Sequence, residues 1–160
     1  MAQQKETSNQ PTVADVSDIP KSGRILAIDP GTKRCGLAVC DELRVTTRAL
    51  AALQRTNWKK LLVRIKHAVS EFDAVAVVVG LPLASDGSET DMSVEARSMA
   101  RKLALSLAIP VCLQDERVTS YEARRRLWQT GVPLEKTKEN VDSEAAAVIL
   151  SDFLDRLSRR

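Results

Sequence analysis

The sequence predicts an α/β domain built on a mixed five-stranded sheet with helices on both faces. Three short apolar runs, at residues 24–30, 35–41 and 45–53, are separated by tight polar turns, which is typical of an antiparallel meander. Two later apolar runs, at residues 74–79 and 110–113, each follow a stretch of helical periodicity. That order is typical of parallel strands joined by crossover helices, so a mixed sheet is expected.

Length and composition predict one domain with a tail in front of it. The chain has 160 residues, and residues 1–23 are rich in Gln, Ser, Thr, Asp and Pro. We expect a flexible N-terminal tail there and a single domain at residues 24–160. The net charge of +3 permits nucleic-acid binding without implying it. Three cysteines in apolar runs indicate a reduced, cytoplasmic protein, and no apolar run is long enough to cross a membrane.

The first predicted strand ends in a carboxylate. The run 24–30 is almost wholly apolar up to Asp29, and Pro30-Gly31 ends it with a turn that carries Lys33 and Arg34. Burying a carboxylate costs free energy unless a charged group pairs with it. Asp29 at the mouth of this hairpin therefore predicts a metal ion or a phosphate-bearing ligand.

Helical periodicity predicts four helices after the meander. Asn57 is suited to cap the first helix, and a second helix covers residues 94–107. A third is expected to begin at Thr119, which has the spacing of a capping box. Residues 133–140 are interpreted as a charged linker, and the last helix is expected to begin at Asp142.

Acidic residues stand where these core elements meet turns. Asp29 ends the first strand, Asp115 and Glu116 end the last strand, and Asp142 begins the last helix. If the first strand is central, these ends converge, and converged carboxylates raise one another's pKa unless hard cations such as Mg²⁺ neutralise them. Strand alternation places Asp115 and Glu116 on opposite faces, so only one of them can reach the site. Each acid taken alone also fits a cap, a turn or a salt bridge.

Four motifs, in order and at sensible spacing, resemble the bacterial YqgF/RuvX family. They are Asp29-Pro30-Gly31-Thr32-Lys33-Arg34-Cys35-Gly36, Val79-Gly80-Leu81-Pro82-Leu83, Asp115-Glu116-Arg117-Val118-Thr119 and Val141-Asp142-Ser143-Glu144-Ala145-Ala146. The resemblance runs from about residue 24 to the C-terminus. It implies an RNase H-like fold related to the RuvC Holliday-junction resolvases. It also implies a catalytic and metal-binding triad of Asp29, Glu116 and Asp142, with Asp115 as the rival of Glu116 and with Mg²⁺ or Mn²⁺ as the cofactor.

The resemblance makes a metal-dependent nuclease the leading hypothesis. Members of the family are described as nucleases of pre-16S rRNA that act in ribosome maturation, and some as junction resolvases. Structured RNA, or alternatively branched DNA, is the expected partner, and a homodimer is compatible because RuvC-like enzymes cut two strands symmetrically. Lys33, Arg34, Arg117 and Arg124 are candidate phosphate contacts, although a solvated helix face is the plain alternative for arginines of the third helix.

Three other functions stay open at this point. A Holliday junction resolvase would use the same acids on branched DNA. A non-catalytic RNA-binding module for ribosome assembly would keep the fold without cleavage. An ATP-binding phosphotransferase would also use the Asp-x-Gly-Thr turn, but that fold needs two lobes and this chain supplies one. Cleavage that is lost when Asp29 is replaced separates the nuclease hypotheses from the binding module.

Overall fold

The computed structural model describes residues 13–116 and 134–160, with side chains described from residue 143 onward in the second range. The predicted third helix, including Thr119, lies outside the described residues, and so do Arg117 and Arg124. The elements are β1 (Ile25–Pro30), β2 (Arg34–Cys40), β3 (Thr47–Gln54), α1 (Trp58–Glu71), β4 (Ala76–Leu81), α2 (Asp91–Ser106), β5 (Val111–Asp115) and α3 (Leu134–Ser158).

The sheet confirms the predicted mixed topology. Its five strands lie in the order β3-β2-β1-β4-β5, so β1 is central. β1, β2 and β3 pair antiparallel, whereas β4 is parallel to β1 and to β5. Ile28 pairs with Leu37 on one side and with Val79 on the other. The carboxyl ends of β1, β4 and β5 therefore meet at one edge of the sheet, which we call the carboxyl edge.

Alternation along the strands divides the core into two layers. Leu26 and Ile28 of β1 face the layer that holds α1 and α2, and Ala27 faces the layer that holds α3. The side chains that α3 packs against the sheet include Ala146, Ala147, Leu150, Phe153 and Leu157. The three cysteines are buried and free, as their apolar surroundings predict.

Two helix starts are fixed by side-chain caps. The Asn57 carboxamide accepts a hydrogen bond from the Lys60 amide at 2.9 Å, which confirms the predicted start of α1. Thr90 and Ser93 cap each other reciprocally, so α2 begins at Asp91, ahead of the start expected at residue 94. Both helices begin near the carboxyl edge because β3 and β4 run toward it.

The predicted linker at residues 133–140 is wrong from Leu134 onward, because α3 begins there. Residues 134–140 contain no Gly or Pro, and their Leu, Glu and Lys residues favour helix. Asp142 therefore lies inside α3 and does not begin the helix. None of the described helices, α3 included, is long and apolar enough to cross a membrane.

The predicted flexible tail is too long, because residues 13–23 pack onto the domain. The Ala14 amide donates to the Val111 carbonyl of β5 at 2.8 Å, and the Ile19 side chain is buried. The Arg160 guanidinium donates to the Val16 carbonyl at 2.7 Å, which ties the end of the chain to this segment. Apolar residues among the polar ones anchor it to the sheet. Residues 1–12 lie outside the described residues.

Candidate active site at the carboxyl edge

Asp29 occupies the end of the central strand. It lies half-buried in β1 opposite Gly36 of β2, and alternation from Ala27 places it on the face that α3 covers. The turn that follows is closed by a hydrogen bond from the Gly31 amide to the Arg34 carbonyl at 3.0 Å. The predicted hairpin is therefore confirmed, and it holds Asp29 on a rigid strand.

Glu116 reaches Asp29 across the intervening strand. Its amide donates to the Leu81 carbonyl at 3.2 Å, so it lies directly after β5 and still pairs with β4. Its carboxyl group is hydrogen-bonded to that of Asp29 on β1. The side chain passes over Gly80, where a Cβ atom would lie 2.6 Å from Glu116 Oε2. The missing side chain of Gly80 therefore leaves the space through which the two carboxyl groups meet.

The surroundings of Glu116 disfavour its ionised form. Burial is the main cause that raises the pKa of Glu116, from 4.5 to about 9, and the charge of Asp29 and the hydrogen bond to Asp29 raise it further. Asp115 adds a weaker repulsion. A carboxyl pair held in this way shares a proton or binds a cation. The pair thus offers hard oxygen donors at a site that favours added positive charge.

Asp115 and Glu116, at the end of β5, lie on opposite faces of the sheet. Val111 and Leu113 face the layer of α1 and α2, whereas Cys112 faces the layer of α3. Alternation therefore places Asp115 on the first face and Glu116 on the second, where Asp29 lies. Of the two, it is Glu116 that shares a hydrogen bond with Asp29.

Asp142 lies in α3, and its side chain is outside the described residues. The interpretation of Asp142 as an N-cap is wrong because the helix starts at Leu134. Its neighbour Ser143 donates a hydrogen bond to the Leu50 carbonyl of β3 at 2.5 Å. Ile149, seven residues after Asp142, places its Cδ1 atom against the same space above Gly80 that Glu116 fills.

Metal-binding groups of three or more His, Cys, Asp or Glu residues are absent among the residues the structure describes. The described site is thus the pair of Asp29 and Glu116, and the third acid of the predicted triad stays a prediction. Lys33 is exposed on the hairpin turn and Arg34 is half-buried at the start of β2, so both predicted phosphate contacts border the pair.

Arg55 and Glu95 support the hairpin turn, and sequence reasoning missed both. The Arg55 guanidinium donates to the Gly31 carbonyl at 2.7 Å and forms an ion pair with Glu95 of α2. The Arg55 amide also donates to the Lys33 carbonyl at 2.9 Å. No local pattern in the sequence announces this link, because its two halves lie far apart in the chain. The signal for Gly80 was visible as a glycine at the end of an apolar run.

Comparison with known proteins identifies the family. The sequence model described as "RuvX: Holliday junction resolvase" matches residues 23–156. The chain belongs to the RuvX family. RuvX relatives named "Putative pre-16S rRNA nuclease" include one from Syntrophus aciditrophicus, 40% identical over 85% of this chain and 91% of the relative. Another, from Anaeromyxobacter dehalogenans, is 42% identical over 83% of this chain and 97% of the relative. The predicted family resemblance is confirmed.

Solved structures share the fold of this RuvX protein. Thermus thermophilus RuvC in complex with a Holliday junction substrate has a TM-score of 0.54 at 17% identity, covering 85% of this chain and 96% of RuvC. The yeast mitochondrial Holliday junction resolvase Ydc2 has a TM-score of 0.50 at 12% identity, covering 90% of this chain and 84% of Ydc2. The expected RNase H-like fold is confirmed.

Proposed function

We propose that this RuvX protein is a divalent-metal-dependent nuclease that hydrolyses phosphodiester bonds in the 5′-end maturation of pre-16S rRNA, within a single domain at residues 24–160 onto which residues 13–23 pack. The observation that carries the proposal is the half-buried pair of Asp29 and Glu116 at the carboxyl edge. The names of its relatives, which it matches along most of their length, support the choice of substrate. Ribosome maturation also agrees with the predicted cytoplasmic location.

The donor set fits a hard divalent cation. Two carboxyl groups meet at a partly buried position, and the raised pKa of Glu116 means that the site favours a positive charge over a second negative one. Mg²⁺ or Mn²⁺ would be held by Asp29 and Glu116, with Asp142 as the third proposed ligand. Such an ion supplies Lewis-acid stabilisation of the charge that develops on the phosphodiester oxygens.

The residues of the chain position the substrate and the acids. β1 and β5 fix Asp29 and Glu116 on one face, and the space above Gly80 lets their carboxyl groups meet. Lys33 and Arg34 lie on the adjoining turn, where they would contact phosphate oxygens, and Arg117 and Arg124 are further candidates for this role. The Arg55–Glu95 ion pair holds the turn in place. A module that only binds RNA gains nothing from two half-buried, repelling carboxyl groups.

A Holliday junction resolvase is the second candidate, because the family description names that activity. Cutting two symmetric strands would require a homodimer. The two candidates separate in a cleavage panel of precursor 16S rRNA ends, single-stranded DNA and four-way junctions in Mg²⁺ or Mn²⁺. Preferred cleavage of the rRNA precursor supports the proposal, and cleavage of junctions alone would replace it with the resolvase.

A further inference from the structure

The exposed face of α1 is strongly basic, and the proposed site does not use it. Lys59, Lys60, Arg64 and Lys66 are all exposed, and Glu71 is the one carboxylate of the helix. Four cations against one carboxylate leave α1 with a net charge of +3, as large as that of the whole 160-residue chain. We call these four side chains the basic face of α1.

This basic face works against the helix that carries it. Lys59 and Lys60 lie in the first turn, which contains no acidic residue, so they oppose the positive end of the helix dipole. Lys60 and Arg64 are four residues apart and repel each other. Both effects disfavour the helical state of α1. Sequence choices that oppose local structure are expected where a function needs them.

The fold does not need these charges. α1 packs on the sheet through the opposite side of the helix, where Leu61, Ile65 and Ala68 are buried. Among the described residues, no carboxylate forms an ion pair with any of the four cations. Lys102 of α2 lies 5.2 Å from the ring centre of Trp58, the first residue of α1, and adds a fifth positive charge beside them.

The basic face begins beside the hairpin turn of the site. β3 runs to the carboxyl edge and ends at Gln54, which pairs with Arg34. The next residue, Arg55, donates its amide to the Lys33 carbonyl, and α1 starts three residues later. Beyond the turn that carries Lys33 and Arg34, positive charges therefore continue along α1 from Lys59 to Lys66, a rise of about 10 Å.

We propose that the basic face of α1 is a second binding surface for the nucleic acid, which holds the phosphate backbone outside the cleavage site without reading its sequence. The inference rests on the proposed function, because it assumes a nucleic-acid substrate. Exposed cations that have no ion-pair partner among the described residues are suited to contact the negative charges of a phosphate backbone. An anionic membrane fits less well, because the apolar side of α1 is buried in the core and unavailable for insertion.

The test compares two double variants with the same change of charge. Lys60→Gln/Arg64→Gln removes two charges from the basic face, and Lys21→Gln/Arg159→Gln removes one lysine and one arginine from exposed positions elsewhere. Binding of a labelled precursor-rRNA fragment is followed by fluorescence anisotropy in EDTA over a range of salt concentrations. Thermal unfolding of both variants checks that the fold is kept.

The basic-face variant should bind several-fold more weakly, and its slope of log affinity against log salt should fall by about 1.4 to 1.8, or 0.7 to 0.9 per lost phosphate contact. The control variant should keep the parent slope. Equal slopes in the two variants, or no RNA binding by the parent, would overturn the proposal. It would equally fail if the basic-face variant lost binding to anionic vesicles and kept binding to RNA.

The outcome is separate from that of the proposed nuclease function. If the parent binds RNA through α1 and cleaves nothing, the binding surface is supported and the nuclease proposal fails. If the parent cleaves RNA and both variants bind RNA alike, the nuclease proposal is supported and the binding surface on α1 fails.

Discussion

Replacing Gly80 with alanine tests how the two acids are brought together. A Cβ atom at this position would lie 2.6 Å from Glu116 Oε2 and 2.6 Å from Ile149 Cδ1. An ordinary contact starts at 3.4 Å, so each neighbour must move by about 0.8 Å, the difference between the two distances. Gly80 does not have a positive φ that only glycine tolerates, so the effect comes from crowding and not from backbone strain.

Glu116 should move more than Ile149. Ile149 is a fully buried residue of α3, whereas the Glu116 carboxyl group is the far end of a flexible side chain. We expect Gly80→Ala to lower the free energy of unfolding by about 1 to 3 kcal/mol. A displacement near 1 Å at reacting groups can lower the rate by about 100-fold, so cleavage should fall far more than stability.

The assay combines thermal unfolding in EDTA, the shift of the melting temperature by Mn²⁺, and cleavage of precursor rRNA. The control is Gly80→Ala/Ile149→Val, which removes the clash with Cδ1 and leaves the clash with Glu116. It should regain stability without regaining cleavage or the Mn²⁺ shift. If Gly80→Ala cleaves at the parent rate, or if the control restores cleavage fully, the role assigned to the space above Gly80 is refuted.

Three further substitutions probe the acid pair and the turn beside it. Because the folded state raises the pKa of Glu116 above its value in the unfolded chain, the contribution of Glu116 to stability is greatest below pH 4.5 and declines as pH rises toward 9. In EDTA, Glu116→Gln should therefore unfold at a higher temperature than the parent by an amount that grows from pH 5 to pH 9. A constant difference would contradict the raised pKa of Glu116. Arg55→Gln and Glu95→Gln should couple by about 1 kcal/mol in a double-mutant cycle of chemical unfolding, because the ion pair also holds Gly31. Additive effects would show that the link carries no energy.

The hairpin and Asp29 were predictable because their signals are local. An apolar run that ends in Asp29 and is broken by Pro30-Gly31 specifies a buried strand and a tight turn without reference to other parts of the chain. The choice between Asp115 and Glu116 needed the pairing of β5 with β4, since that pairing fixes which face each residue takes. Alternation along a strand predicts that the two acids lie on opposite faces, and the register of β5 shows that Glu116 lies on the face of Asp29.

Other features depended on contacts that the sequence does not display. The charged segment at residues 134–140 has the composition of a linker, and only the continuous backbone of α3 shows that it is helical. Residues 13–23 are mostly polar, but the side chain of Ile19 is buried in the core beside α3. The role of Gly80 depends on Glu116 and Ile149 arriving from opposite directions, which no window of sequence around Gly80 contains.

The most direct test of the central claim is cleavage of precursor 16S rRNA by the parent protein and by Asp29→Asn in Mg²⁺ or Mn²⁺. Loss of a residue that hydrogen-bonds to a metal ligand commonly lowers activity by about 10- to 100-fold. Loss of a proposed ligand itself should therefore lower activity by at least about 100-fold. We predict that the parent cleaves the precursor and that Asp29→Asn, folded to the same extent, does not. Equal cleavage by the two proteins would contradict the assignment of the carboxyl pair as the nuclease site.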